Sequence, residues 1–160
     1  MININIICVG KLKEKFWTQA VAEYEKRLKA FCKFKITEVD EEKIQDNPNQ
    51  GQIEATLDKE GKRIIKNIGK GAKVIALCIE GKIISSPDLA KIFDDTAING
   101  ISEIDFIIGG SWGLSDEVKG MADIKLSMSK MTFPHQLARV MLCEQVYRGF
   151  QISSGGKYHK

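Results

Sequence analysis

No apolar run in this chain approaches the ~20 residues that a membrane span needs. Nor does a basic leader with a cleavage site precede Met1-Ile2-Asn3-Ile4, so a secretory signal is not expected. Cysteine pairing is absent too: Cys8, Cys32, Cys78 and Cys143 are scattered, with no C-x-x-C and no Cys/His spacing. That argues against a structural zinc. Three of the four lie in apolar runs, as reduced, buried thiols of a cytoplasmic protein do. Charge of one sign is also in short supply. Lys and Arg number 24 against 21 Asp and Glu, a net charge of +3, which excludes a histone-like polycation. Internal repeats, low-complexity tracts and interior linkers are missing. What is present is 160 residues with 43% apolar and 28% charged composition, enough for one well-packed core. One domain over residues 1–160 is therefore expected.

The small positive balance is unevenly spread. Lys11, Lys13 and Lys15 cluster near the start, Lys26, Arg27, Lys29, Lys33 and Lys35 follow, and Lys157 and Lys160 close the chain. Opposite them stands an acidic patch, Glu38, Asp40, Glu41 and Glu42. Each basic cluster is either a solvated helix face or part of a phosphate-facing surface, and composition does not decide which.

Apolar periodicity alternates between strand and helix. Strands are expected at 5–10, 34–39, 73–80, 103–108 and 124–128. Helices are expected at 14–30, 53–68, 86–98, just after Ser115-Asp116, and from Pro134 to about Phe150. In the first, Phe16, Ala20, Tyr24, Arg27 and Leu28 fall near helical spacing. In the last, Leu137, Val140, Met141, Val146 and Phe150 offer an apolar face. Residues 40–52 read as a long polar loop, Gly69 as a helix stop and Gly81 as a turn. The order implies an α/β fold: a mostly parallel sheet with helices on both faces, and ligands at the carboxyl ends of its strands.

Two of those strand ends carry the chemistry. Ile104–Ile108 stops at Gly109-Gly110-Ser111-Trp112-Gly113, and the last strand runs into Ser127-Met128-Ser129-Lys130-Met131-Thr132-Phe133-Pro134-His135-Gln136. Loops of small and hydroxylated residues build a site from backbone, which suits a small-molecule cofactor. The basic-aromatic terminus, Lys157-Tyr158-His159-Lys160, suits a polyanion beside it. The glycine turn is neither a dinucleotide fingerprint nor a P-loop. Gly109-x-Ser111-x-Gly113 does match a nucleophile elbow, with Asp116 or Asp123 and His135 or His159 as partners, so a small serine hydrolase is one alternative. A ribosome-associated RNA-binding module without activity is another. Ser127-x-x-Lys130 lacks the companion motifs of penicillin-recognising enzymes and carries nothing. The glycines themselves serve either a tight turn or close approach of a cofactor to the backbone. In the last helix His135/Arg139 and Glu144/Arg148 are spaced four apart, each pair on one face.

Phe106–Gly110, Leu126–Gln136, Arg139-Val140, Glu144–Arg148 and Tyr158–Lys160 together resemble the ribosomal large subunit methyltransferase H family, small SPOUT-class enzymes. Val9–Lys13 and Tyr24–Leu28 extend the similarity to the amino end. The resemblance implies a homodimer with a deep trefoil knot at the carboxyl end. It implies methylation of N3 of a pseudouridine in 23S rRNA from S-adenosylmethionine, the rRNA being that of an assembled ribosome in the cytoplasm, with no metal and no membrane. By position it assigns the cofactor to Leu77, Gly109, Gly110, Met128, Ser129, Lys130, Met131, Thr132 and Phe133. Substrate contacts fall to His135, Arg139, Arg148, Tyr158, His159 and Lys160, with His159 and Arg148 as catalytic candidates. Trp112 departs from the family pattern, which has a smaller or polar residue there.

Overall fold

The computed structural model describes residues 1–160. Asn3–Val9 (β1), Lys33–Val39 (β2), Lys73–Ile83 (β3), Glu103–Ile108 (β4) and Ile124–Ser127 (β5) form one sheet. Its order is β2-β1-β4-β3-β5, and every neighbouring pair is parallel. Parallel neighbours need long crossovers, and helices supply them: Lys15–Leu28 (α1), Gln50–Ile65 (α2), Ser86–Ile98 (α3) and Asp116–Met121 (α4). A fifth helix, His135–Ser153 (α5), closes the chain.

Strand alternation splits the core in two. Ile4, Ile6 and Cys8 of β1 point to a cluster shared with Val21 and Leu28 of α1, Leu89 and Phe93 of α3, and Leu142, Cys143 and Val146 of α5. Ile7 and Val9 point the other way, to Ile64 of α2 and Val118 of α4. Because both faces are covered, the strands carry apolar residues almost continuously, and that made them legible. Burial pushes the thiols of Cys8, Cys32 and Cys143 up to about 12, so they stay protonated core groups; Cys78 is half-buried.

Several expectations need correction. α2 starts at Gln50 and not Ile53, because Asn49 caps it reciprocally: Asn49 Oδ1 accepts from the Gln52 amide and Gln52 Oε1 from the Asn49 amide, each at 2.8 Å. It also stops at Ile65, short of Ile68. α3 is capped by Ser85, one residue before Ser86. α5 runs on to Ser153, and its buried residues are Arg139, Leu142, Cys143, Val146 and Gly149; Leu137 and Met141 are only half-buried. In α1 the buried positions are Val21 and Leu28, while Phe16 stands 57% exposed.

The largest difference is at Gly81, which does not turn the chain. β3 continues through it to Ile83, and β5 pairs with β3 on both sides of a bulge, Leu77 and Lys82 each facing Leu126. A Cβ on Gly81 would lie 2.6 Å from the Leu126 carbonyl carbon and 2.8 Å from its nitrogen. The glycine lets the two backbones meet.

Asn5 and Asp105 are in register on β1 and β4, wholly buried. Asp105 Oδ2 accepts from the Gly69 amide at 2.7 Å, while Asp105 Oδ1 and Asn5 Nδ2 find no partner. Burial pushes the Asp105 carboxyl from 3.8 up to about 6, against the Gly69 hydrogen bond and with help from Glu103. The folded state thus prefers the protonated acid, so this group's contribution to stability falls as pH rises from 3.8 towards 6 and is flat above. Asp105→Asn is expected to abolish that fall. Its urea midpoint should exceed wild type at neutral pH and not in acid.

Candidate functional site

A cavity of about 700 Å³ opens at the carboxyl ends of β3, β4 and β5. Each wall has a local cause. The β4 end turns through Gly110–Gly113, closed by the Gly113 amide on the Gly110 carbonyl at 3.1 Å. A Cβ on Gly109 would run into the Gly113 carbonyl oxygen and lie 2.6 Å from its carbon. Gly109 is therefore required by the turn itself, and the turn in turn supplies the cavity wall. Gly109→Ala is expected to open the turn and weaken cofactor binding at least ~10-fold, read by calorimetry against wild type.

The β5 end is shaped by serines. Ser127 Oγ donates to the Ser129 carbonyl at 2.9 Å, and Ser129 Oγ accepts from the Met131 amide at 3.0 Å. Hydroxyls here stand in for missing backbone partners, as they do in compact turns. Eight of the nine residues expected to hold a cofactor line the cavity; Lys130 does not. The bulged extension of β3 adds Ile79 and Glu80, and α4 adds Lys119. Lys119 and Glu80 pair at 2.5 Å, and that hydrogen bond holds the Glu80 carboxyl below its ordinary range. None of these three was among the expected site residues.

The expected substrate residues separate into three groups. His135 lines the cavity, half-buried, and burial lowers its pKa, with Arg139 and Lys13 adding to the effect. Arg139 is off the surface altogether: its side chain is 2% exposed, pairs with Glu38 at 2.6 Å and donates to the Gly10 carbonyl at 3.1 Å. It ties α5 to the ends of β1 and β2, which removes it from any direct grip on a large partner.

Arg148, Tyr158 and His159 do come together, and Lys160 follows them, exposed. The organiser is Glu144. It accepts from Arg148 at 2.8 and 3.2 Å and from the Tyr158 hydroxyl at 2.9 Å. The Arg148 guanidinium lies 4.6 Å from the Tyr158 ring centroid, and its Nη1 lies 3.3 Å from His159 Nδ1. Glu144 and Arg148 are 18% and 25% exposed, so this is no solvated surface pair. None of the tail residues lines the cavity of its own chain. Between the two places lies a smaller depression of about 290 Å³, which shares Leu126 and Met128 with the cavity and Glu144 with the tail cluster.

A hydrolytic triad does not form. Ser111 is exposed and its hydroxyl has no partner, while Asp123 accepts from the Val74 amide at 2.8 Å. No group of three or more His, Cys, Asp or Glu is placed to hold a metal, and no helix is long and apolar enough to cross a membrane.

Comparison with known proteins agrees with this geometry. Residues 2–159 match the family described as predicted SPOUT methyltransferases. The chain is 50% identical over 159 residues to the ribosomal RNA large subunit methyltransferase H of Clostridioides difficile strain 630 and 52% identical to that of Bacillus pumilus. Both matches cover 99% of this chain and all of the relative. A solved probable methylase family protein from Haemophilus influenzae superposes with a TM-score of 0.51 at 13% identity, over 99% of this chain and 70% of the other, which shows the fold.

Proposed function

The chain belongs to the SPOUT methyltransferase family, and from that premise we propose that it methylates N3 of a pseudouridine in 23S rRNA. S-adenosylmethionine is the donor, the 23S rRNA of the assembled ribosome in the cytoplasm the substrate, and a homodimer the working unit. The observation that carries this reading is half-identity along the full length to rRNA methyltransferases, coinciding with a cavity at three strand ends.

The cavity fits such a cofactor. Its volume lies within the ~300–1,000 Å³ typical of small-molecule sites. Apolar walls from Leu77, Leu126 and Phe133 suit a purine, and Gly109 and Met131 bring the chain's backbone to the cavity wall. When bound, the sulfonium cofactor supplies an electrophilic methyl group. The chain's own work is alignment of the target nitrogen and exclusion of water, which is proximity catalysis.

Loss of the N3 proton leaves negative charge on the ring, and the Arg148 guanidinium is placed to stabilise it. His159 acts beside it as a hydrogen-bond donor. With Nδ1 accepting from Arg148, the neutral ring carries its proton on Nε2 and is a donor, so solvent takes the N3 proton. Tyr158, edge-on to Tyr147 at 4.9 Å, offers its ring to an unpaired base. Since the tail cluster lies outside its own chain's cavity, a partner subunit's tail completes each site. The knot belongs to the same proposal: α5 returns from the β5 edge to pack against both α1 and α3. Mass mapping of rRNA from cells with and without the protein tests the whole; an unchanged pseudouridine pattern would overturn it.

A further inference from the structure

Lys11 and Lys13 stand exposed on the segment between β1 and α1, Lys15 stands exposed as the first residue of α1, and none of the three forms an ion pair. β1 ends at the same edge of the sheet as the cavity, so this segment lies beside the mouth. It is fixed there at two points. Leu12 packs against the core, and the Lys13 amide donates to Gln136 Oε1 at 3.0 Å, one residue beyond the cavity-lining His135. The strip is a rigid rim, not a loose loop.

These charges pair with no carboxylate, although Glu14 stands between Lys13 and Lys15 at the cap of α1. The first turn of α1 holds no acidic residue, and cations at a helix amino end are unfavourable. Beside them Phe16 is 57% exposed, edge-on to Trp17 at 4.7 Å. Single exposed rings are ordinary, but one set among three unpaired lysines at a cavity mouth has the composition of a nucleic-acid surface. We propose that Lys11, Lys13, Lys15 and Phe16 form the docking rim for the rRNA flanking the target, the lysines taking phosphates and Phe16 a base. This rests on the rRNA reading above. The charge is complementary, and the modest net charge makes a local concentration of it necessary.

The triple variant Lys11→Ala/Lys13→Ala/Lys15→Ala is compared with a triple at the opposite, amino edge of the sheet, Lys29→Ala/Lys33→Ala/Lys70→Ala, of equal charge loss. Binding to purified ribosomes and to protein-free 23S rRNA is followed against salt, and methylation is followed in parallel. The rim triple is expected to flatten the log–log salt slope by about 2 and to raise KM about tenfold with kcat held, because each phosphate contact contributes about 0.7–0.9 to the slope. The amino-edge triple should leave both unchanged, and lysine-to-arginine substitution at the rim should restore them. Phe16→Ala should raise KM without altering the slope. Equal slopes for the two triples would overturn the proposal. A loss with ribosomes but none with protein-free rRNA that the wild type measurably binds would assign the rim to an acidic ribosomal protein and also overturn it. Ribosome binding without methylation by wild type would sink the catalytic reading and leave the rim standing.

Discussion

Replacing Glu38 with alanine is expected to cost about 3 kcal/mol of stability, more than replacing Arg139 with methionine. The asymmetry follows from burial. Arg139 is 2% exposed and Glu38 37%. Without Glu38 the guanidinium keeps only the Gly10 carbonyl, and its Nε already has no partner. It is then a buried, nearly uncompensated charge. In Arg139→Met the carboxylate left behind can turn to water, and methionine fills much of the space. That change is expected to cost less than about 1.5 kcal/mol. The double variant should be more stable than Glu38→Ala alone, since removing the stranded cation relieves its desolvation. Urea unfolding at one fixed protein concentration measures all three, the concentration mattering because subunit association adds to apparent stability. Equal losses in the two single variants would show that the guanidinium is not the group held out of water.

Arg139 also shows where a linear sequence stops being legible. Its neighbours in the chain are cofactor-loop residues, which suggested contact with the substrate. Its true partner is 101 residues away, on a strand whose place beside β1 depends on the crossovers of the whole sheet. Alternation of strand and helix was readable because doubly covered strands carry a dense apolar signal. The loops that line the cavity were readable because each begins where that signal stops. Gly81 failed for a physical reason: turns and close backbone approach call for the same residue, and only the partner strand distinguishes them. Asn49–Gln52 held a capping signal in plain view, obscured by the polar run around it.

Truncation after Gly156 should lower methyl transfer at least ~100-fold while cofactor affinity stays within about twofold, because misplacing a reacting group costs rate without touching the donor's walls. The separation of effects is built into the geometry. Tyr158 and His159 are held by Glu144 and Arg148, and none of the four lines the cavity except at the depression where Glu144 meets Met128. Glu144→Gln should mimic the truncation in part. It keeps one acceptor for Tyr158 but loses the charge that orients Arg148, so KM for ribosomes rises with little change in folding. The decisive measurement pairs subunits: a truncated chain that keeps its cavity, mixed with a full-length chain carrying Gly109→Ala. If tails serve the opposite cavity, the mixed dimer regains one intact site and up to about half of wild-type activity. No recovery in a verified mixed dimer would place each tail over its own chain's cavity, and the shared site would be abandoned.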